Sequence, residues 1–415
     1  MKLEKYSMGI GDRFAHQGKA QLQALADAKQ AGIDVVPVWN KSHREHATIG
    51  TNPADVRVEA DAAVQTLGWS DAYYVDADHI NMSNVDLFLE SSNFFTLDVA
   101  EEIGKAADAE SIRSFVEQFS NLAGGLTVPG IDTPLEITRN QIEAIAQKYL
   151  YAIQEAGRIY RHIEAAKGAG NFITEVSIDE TDEPQTPVDL LFILAAISLE
   201  KIPAQTIAPK FSGRFNKGVD YVGDVAQFEK EFNDDIAVIN YAIAHFGLPK
   251  NLKLSVHSGS DKFAIYPAIN RAIRKFDVGL HLKTAGTTWL EELIGLAEAG
   301  GDGLEIAQEI YAQSLDRFDE LCSPYATVID IDPAQLPAAE EVNQWDSARY
   351  VATLRHELDH PLYNPNFRQL LHVGYKVAAE MGATYLAALE RHESVVAANV
   401  TLNFSRRHIG AIFKQ

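Results

Sequence analysis

The sequence predicts an α/β protein: a closed (β/α)8 TIM barrel with a helical insertion after strand four and a mainly helical C-terminal extension. Eight short β-prone runs alternate with helical stretches, which argues for parallel β/α connectivity. Eight is also the number of strands that closes such a barrel. Chemically capable side chains recur at the C-terminal ends of these runs, where a barrel builds its active site. An open doubly wound sheet is the alternative, but no glycine fingerprint follows the first run.

The first run, Tyr6 to Gly11, leads into Asp12-Arg13-Phe14 and a helix over 17–31 that ends near Gly32. Val35 to Trp39 is the second, followed by a loop carrying His43 and His46. A helix over 53–67 precedes the third strand, whose end is Val75-Asp76-Ala77-Asp78-His79. Phe94 to Asp98 is the fourth. The long helical connection after it is expected to finish as a helix over 133–167, with Pro134 in its first turn and Gly168 just beyond its end. Strand five runs from Asn171 to Val176, ahead of the acidic turn 179–183. A helix beginning at Thr186-Pro187 leads to strand six, Thr206 to Lys210. Strands seven and eight are Leu252 to His257 and Val278 to Lys283. Beyond 287 the pattern is helical, with a short added strand expected at 328–332. The barrel is assigned to residues 1–290, its insertion to about 99–170, and the extension to 291–415.

The chain has 415 residues, 46% hydrophobic and 23% charged, with a formal net charge of −22. That composition suits a folded globular protein. The spread of acidic residues argues against nucleic acid or an anionic membrane surface as partner. It does not exclude a small anionic substrate, since a local cationic pocket can sit on an acidic protein. A lone cysteine, Cys322, excludes an internal disulfide and fits a reducing compartment. No targeting segment or membrane-length apolar run is visible, so a cytoplasmic location is expected. The sequence leaves a homo-oligomer open.

His79, Glu175, His257 and His281 fall at the ends of strands three, five, seven and eight. Three imidazoles and a carboxylate form a reasonable shell for a divalent metal: Zn²⁺ as first choice, Mn²⁺ or Ni²⁺ if more ligands join. Any one of these residues alone also reads as an ordinary hydrogen-bonded side chain. Asp76 and Asp78 share a face of strand three, with Ala77 on the other. Either is a candidate base, or an aspartate that orients a histidine ligand. His79 needs the chain to turn before it joins them. Lys210 and Lys283 are candidate charge-stabilising groups, although Lys210 also stands where a Schiff-base lysine would fit. Arg214 and Lys262 suit an anionic substrate group. Ser258 and Ser260, flanking Gly259, offer a turn whose N–H groups suit a substrate oxygen. His372, on a late helix, is either packed or a lid contact reaching substrate.

Several stretches together resemble the tagaturonate/fructuronate epimerase family, whose members include tagatose 4-epimerases. They are MGIGDRFAHQGKAQ (8–21), PVWNKSHREH (37–46), VDADHI (75–80), PKFSGRFNKGVDYVGD (209–224), LSVHSGSDKF (254–263), GLHLKTAGTTWLEE (279–292) and RQLLHVGYKVAAE (368–380). The resemblance implies a metal-dependent interconversion of D-tagaturonate and D-fructuronate in hexuronate catabolism. A shorter likeness is to class II, zinc-dependent aldolases. Asp78-His79 resembles their Asp-His pair, and His257-Ser258-Gly259-Ser260 resembles their glycine-rich turn, with serine replacing one glycine. The inverted carbon lies β to the ketone, so its C–H is not acidic and simple enolisation cannot invert it. No nicotinamide fingerprint supports transient oxidation, and retro-aldol cleavage remains. A class II-type aldolase or an α-proton ketose isomerase on a sugar acid stays open as an alternative.

Overall fold

The computed structural model describes every residue except Asp182, Gly259, Ala285 and Gln415. Eight parallel strands close a barrel in the order β1-β10-β9-β8-β7-β4-β3-β2. They are β1 Tyr6–Ile10, β2 Val36–Ser42, β3 Tyr74–Ile80 and β4 Phe94–Asp98, then β7 Ile173–Ser177, β8 Thr206–Ala208, β9 Lys253–His257 and β10 Leu280–Lys283. All eight expected strands are present. Between β4 and β7 lies the insertion, which carries helices Ala109–Phe119 and Arg139–Lys167 and the antiparallel pair β5 Gly124–Leu126 and β6 Leu135–Ile137.

Alternation along the strands separates two cores. One face of each strand meets the helices in the main apolar cluster, which includes Trp39, Val75, Phe95 and Val176. The other face fills the barrel. There Leu3, Val36, Val38, Tyr74, Phe94 and Ile173 form a separate cluster. The opposite side of the lumen is polar, with Ser7, Thr206, Lys253, Ser255 and His281 all buried. Above this floor the inward positions become Asp76 and Asp78, Thr96, Glu175, His257 and Lys283. Gly9 leaves room for the last of these: a Cβ there would stand 2.9 Å from Lys283 Cγ.

Three expectations fail locally. The segment 133–137 is not helical: Leu135–Ile137 pairs with Gly124–Leu126, and the helix starts only after Thr138. Thr138 accepts from the Gln141 N–H while Gln141 reaches back to the Thr138 N–H, so this capping box fixes the start in place of Pro134. The expected strand at 328–332 is irregular chain. The Asp330 N–H donates to Gln369 Oε1 (2.9 Å) and the Asp332 N–H to Asn366 Oδ1 (2.8 Å), both on helix Pro365–Val373. Side-chain amides thus take the place of a strand partner. His43 and His46 lie not on a loop but on the short helix His43–Ile49, capped by Ser42 with Glu45.

The C-terminal helices pack on helix Gly286–Ala299, where Trp289 Nε1 donates to the Leu371 carbonyl at 2.7 Å. Cys322 is buried, with its thiol pushed up to about 11 by burial. Among the described residues no helix is long and apolar enough to cross a membrane.

Candidate active site

The site grows from the end of β3. Asp76 and Asp78 both point inward, and each has a carboxylate oxygen 2.8 Å from Lys283 Nζ on β10. Glu175 on β7 completes the ring at 3.0 Å from the same ammonium. Thr96 on β4 donates to Asp76 and accepts from Lys283 at 2.5 Å. One buried cation therefore serves a cluster of carboxylates. Burial and the neighbouring carboxylates push Asp76 up to about 6, although Lys283 opposes them. Burial raises Asp78 too, but Lys283 and His79 hold it on balance below the ordinary aspartate value.

After Asp78 the strand breaks pattern. The β3–β4 register shifts between Ala77 and Ile80, and His79 takes a left-handed backbone with φ of 52°. This is the turn His79 needs to reach the side of the aspartates. Its Nδ1 donates to Asp98 Oδ2 at 3.0 Å, and its Nε2 lies 3.9 Å from Asp78.

His257, at the end of β9, faces two carboxylates: its Nδ1 is 3.1 Å from Asp179 and its Nε2 2.8 Å from Glu175. Both partners are carboxylates, a setting that favours a proton on each ring nitrogen. Against the lowering effect of burial, Asp179, Glu175 and a hydrogen bond raise it to about 9. His79 rises to about 10, with Asp78 and Asp98 overcoming burial. The two rings meet edge to face, 5.2 Å apart. Potential ligand atoms of His79, Asp179 and His257 all lie within 4.8 Å of one another.

Asp179 is the member of this group that the sequence did not single out. The signal was its spacing, since Glu175, Ser177 and Asp179 alternate on one face and Ser177 donates to Asp179. His281, expected in the metal shell, is not brought to this group. The strand register pairs Lys283 with His257 and His281 with Ser255, which sets His281 one inward layer deeper. There its Nδ1 pairs with Ser7 Oγ at 2.9 Å, its ring lies against Phe94, and burial lowers it to about 3.

Other expected residues lie outside the cluster or serve the scaffold. The Lys210 ammonium donates to the Thr181 carbonyl. Arg214 is exposed and pairs with Asp330 at 3.0 Å. Ser258 spends both its N–H and its hydroxyl on the Lys283 carbonyl, so it offers neither to a ligand. Gly259, the middle of that turn, lies outside the described residues. Ser260 accepts from the Gly218 N–H and from Lys262, whose buried ammonium falls to about 7. His372 is 1% exposed, and neither ring nitrogen has a partner among the described residues.

A family model described as UxaE, tagaturonate epimerase, matches residues 1–392. The chain belongs to the tagaturonate epimerase family. It is accordingly an isomerase of the epimerase type. It is 28% identical over 417 residues to the tagaturonate/fructuronate epimerase of Thermotoga maritima, covering 97% of this chain and 80% of that protein. Crystal structures of fructuronate-tagaturonate epimerase from Cohnella laeviribosi share its fold. The native form superposes with a TM-score of 0.79 at 23% identity, covering 99% of this chain and 82% of the other. A form with two glycerols gives 0.80, with coverage of 99% and 81%. In this member of the tagaturonate epimerase family, the stretches 75–80 and 254–263 supply Asp76, Asp78, His79 and His257, while 279–292 supplies Lys283.

Proposed function

We propose that the protein is a metal-dependent epimerase interconverting D-tagaturonate and D-fructuronate by retro-aldol cleavage and re-addition. The observation that carries this reading is the convergence of His79, Asp179 and His257 beside the Asp78–Lys283 pair. Two imidazoles and a carboxylate are a suitable donor set for a divalent cation. The charge balance fits as well: Asp76, Asp78 and Glu175 share Lys283, Asp98 and Asp179 add two more carboxylates at His79 and His257, and both histidines are raised above their ordinary value. A place that drives imidazoles to take protons favours positive charge, which a cation can supply instead. Glu175 and Asp98 then orient His257 and His79.

A divalent ion held there would offset the negative charge that develops on the substrate's ketone oxygen. The protein's own groups handle the protons. Asp78, ionised and the more exposed of the aspartate pair, takes the proton from the hydroxyl on the carbon to be inverted. The adjoining C–C bond breaks, and its electron pair passes to the ketone fragment as an enediolate, leaving an aldehyde fragment. Re-addition to the opposite face of the aldehyde restores the bond, and Asp78 returns the proton. Lys283 keeps Asp78 ionised and stabilises charge, with Asp76 in support.

Incubating metal-reconstituted protein with tagaturonate and following fructuronate by NMR tests the reading. Free three-carbon products would make the protein an aldolase instead. Solvent deuterium beside the ketone would indicate α-proton isomerisation.

A further inference from the structure

A second constellation lies beside the acidic one, on the side of the β1 and β2 loops. Arg13 stacks over Tyr375, its Cζ 4.3 Å from the ring centre. The Lys217 ammonium and the Arg44 guanidinium lie 5.7 and 5.6 Å from the ring centre of Tyr325. The two tyrosine hydroxyls meet at 3.0 Å and tie the groups together. Gly218 puts Lys217 next to helix Pro365–Val373, since a Cβ on Gly218 would stand 3.1 Å from His372 Cβ.

These donors are under-used. Among the described residues Arg13 has one carboxylate partner, Glu45 at 3.1 Å, and its buried Nη1 has no hydrogen-bond partner. No carboxylate among the described residues lies within ion-pair distance of Lys217. Burial, with Arg13 and Arg44 nearby, lowers its ammonium. His372 is buried with both ring nitrogens unpartnered among the described residues, and after burial the charges of Arg13 and Lys217 are the largest influences keeping it neutral. Buried polar groups without partners are costly, and several facing one place call for a ligand. Glu45 links this place to the reacting end, since it pairs with Arg13 and also feels Asp78.

We propose that Arg13, Lys217 and His372 form the subsite that binds the terminal carboxylate of the ketohexuronate. This rests on the sugar-acid reading above. Arg13 and Lys217 supply charge, and neutral His372 supplies a directed N–H. Cleavage between the carbons α and β to the ketone would leave the carboxylate on the aldehyde fragment, so the subsite would also keep that fragment bound while its carbonyl turns over.

The test is calorimetric binding of tagaturonate and of neutral tagatose to the metal-loaded protein, alongside steady-state kinetics. Wild type is expected to bind tagaturonate at least about tenfold more tightly than tagatose. Lys217→Met and Arg13→Met are each expected to remove most of that preference and to raise KM for tagaturonate far more than they lower kcat. Lys217→Arg should restore much of it, which separates lost charge from misfolding. Equal binding of the two sugars by wild type, or a preference that survives in both methionine variants, would overturn the subsite. A wild type that shows the preference but no turnover would instead overturn the epimerase reading and leave the subsite standing.

Discussion

Asp261 and Arg368, 107 residues apart in the chain, form a fully buried ion pair of 3.0 Å. Asp261 follows β9 and Arg368 lies on helix Pro365–Val373, so the pair fastens the C-terminal extension to the barrel. Thr287 donates to the same carboxylate at 3.0 Å, and His356 and His408 lie within 3.3 Å of it. Arg368 also donates to the carbonyls of Gly218 and Leu354. Arg368→Met removes the cation and leaves these acceptors dry. A loss of roughly 3–5 kcal/mol is expected, as for other broken buried pairs. Urea unfolding monitored by circular dichroism measures it, and a midpoint equal to wild type would refute the fastening role.

Glu291 supplies a pH effect on stability. It is buried, accepts from Asn403 at 3.2 Å, and burial raises its carboxyl to about 7 despite Arg368. The unfolded chain ionises this group near the ordinary glutamate value, whereas the folded chain holds the proton longer. The native state therefore binds more protons between about pH 4.5 and 7, and stability falls as pH rises through that window. The full penalty, up to about 3 kcal/mol by this linkage, is present above pH 7. Glu291→Gln should raise Tm at pH 8 while leaving it nearly unchanged at pH 4. A Tm difference independent of pH would contradict the assignment.

The barrel was legible because its strands are short apolar runs set between strong breakers, and the inward face of each run follows from alternation. Asp76 and Asp78 were read onto one face for that reason, and their shared contact with Lys283 agrees. Depth along the barrel was not legible. His281 and His257 both occur near strand ends, and only the β9–β10 register sets them in different layers. Asp179 was hidden because its strand ends at Ser177 and it reads as part of an acidic turn. Arg13 and Lys217 sit on loops, whose convergence no periodicity encodes. The misread start of the insertion helix carried a visible signal, the Thr138–Gln141 capping pair.

Lys283→Met tests the shared cation. Without it, Asp76, Asp78 and Glu175 lose their common partner, and Asp76 rises further because burial is no longer opposed. On the proposed chemistry, kcat for tagaturonate should fall by about 10²-fold or more, the usual effect of removing a charge-stabilising or acid–base group. Far-UV circular dichroism checks that the fold persists. A folded variant within threefold of wild-type turnover would exclude Lys283 from the reaction.

The ligand set itself separates by substitution. If His79, Asp179 and His257 hold the cation, His257→Ala should abolish both bound metal and turnover. Asp179→Ala should weaken metal binding by tenfold or more and lower turnover with it. His281→Ala should keep the metal, because that ring lies a layer below and is engaged by Ser7. Its cost should fall on stability instead, since it opens space beside Phe94 in the lumen. Metal content after dialysis against a weak chelator, measured by plasma mass spectrometry, distinguishes the three variants. Retention of metal by Asp179→Ala together with its loss from His281→Ala would return the metal to the shell of His79, Glu175, His257 and His281.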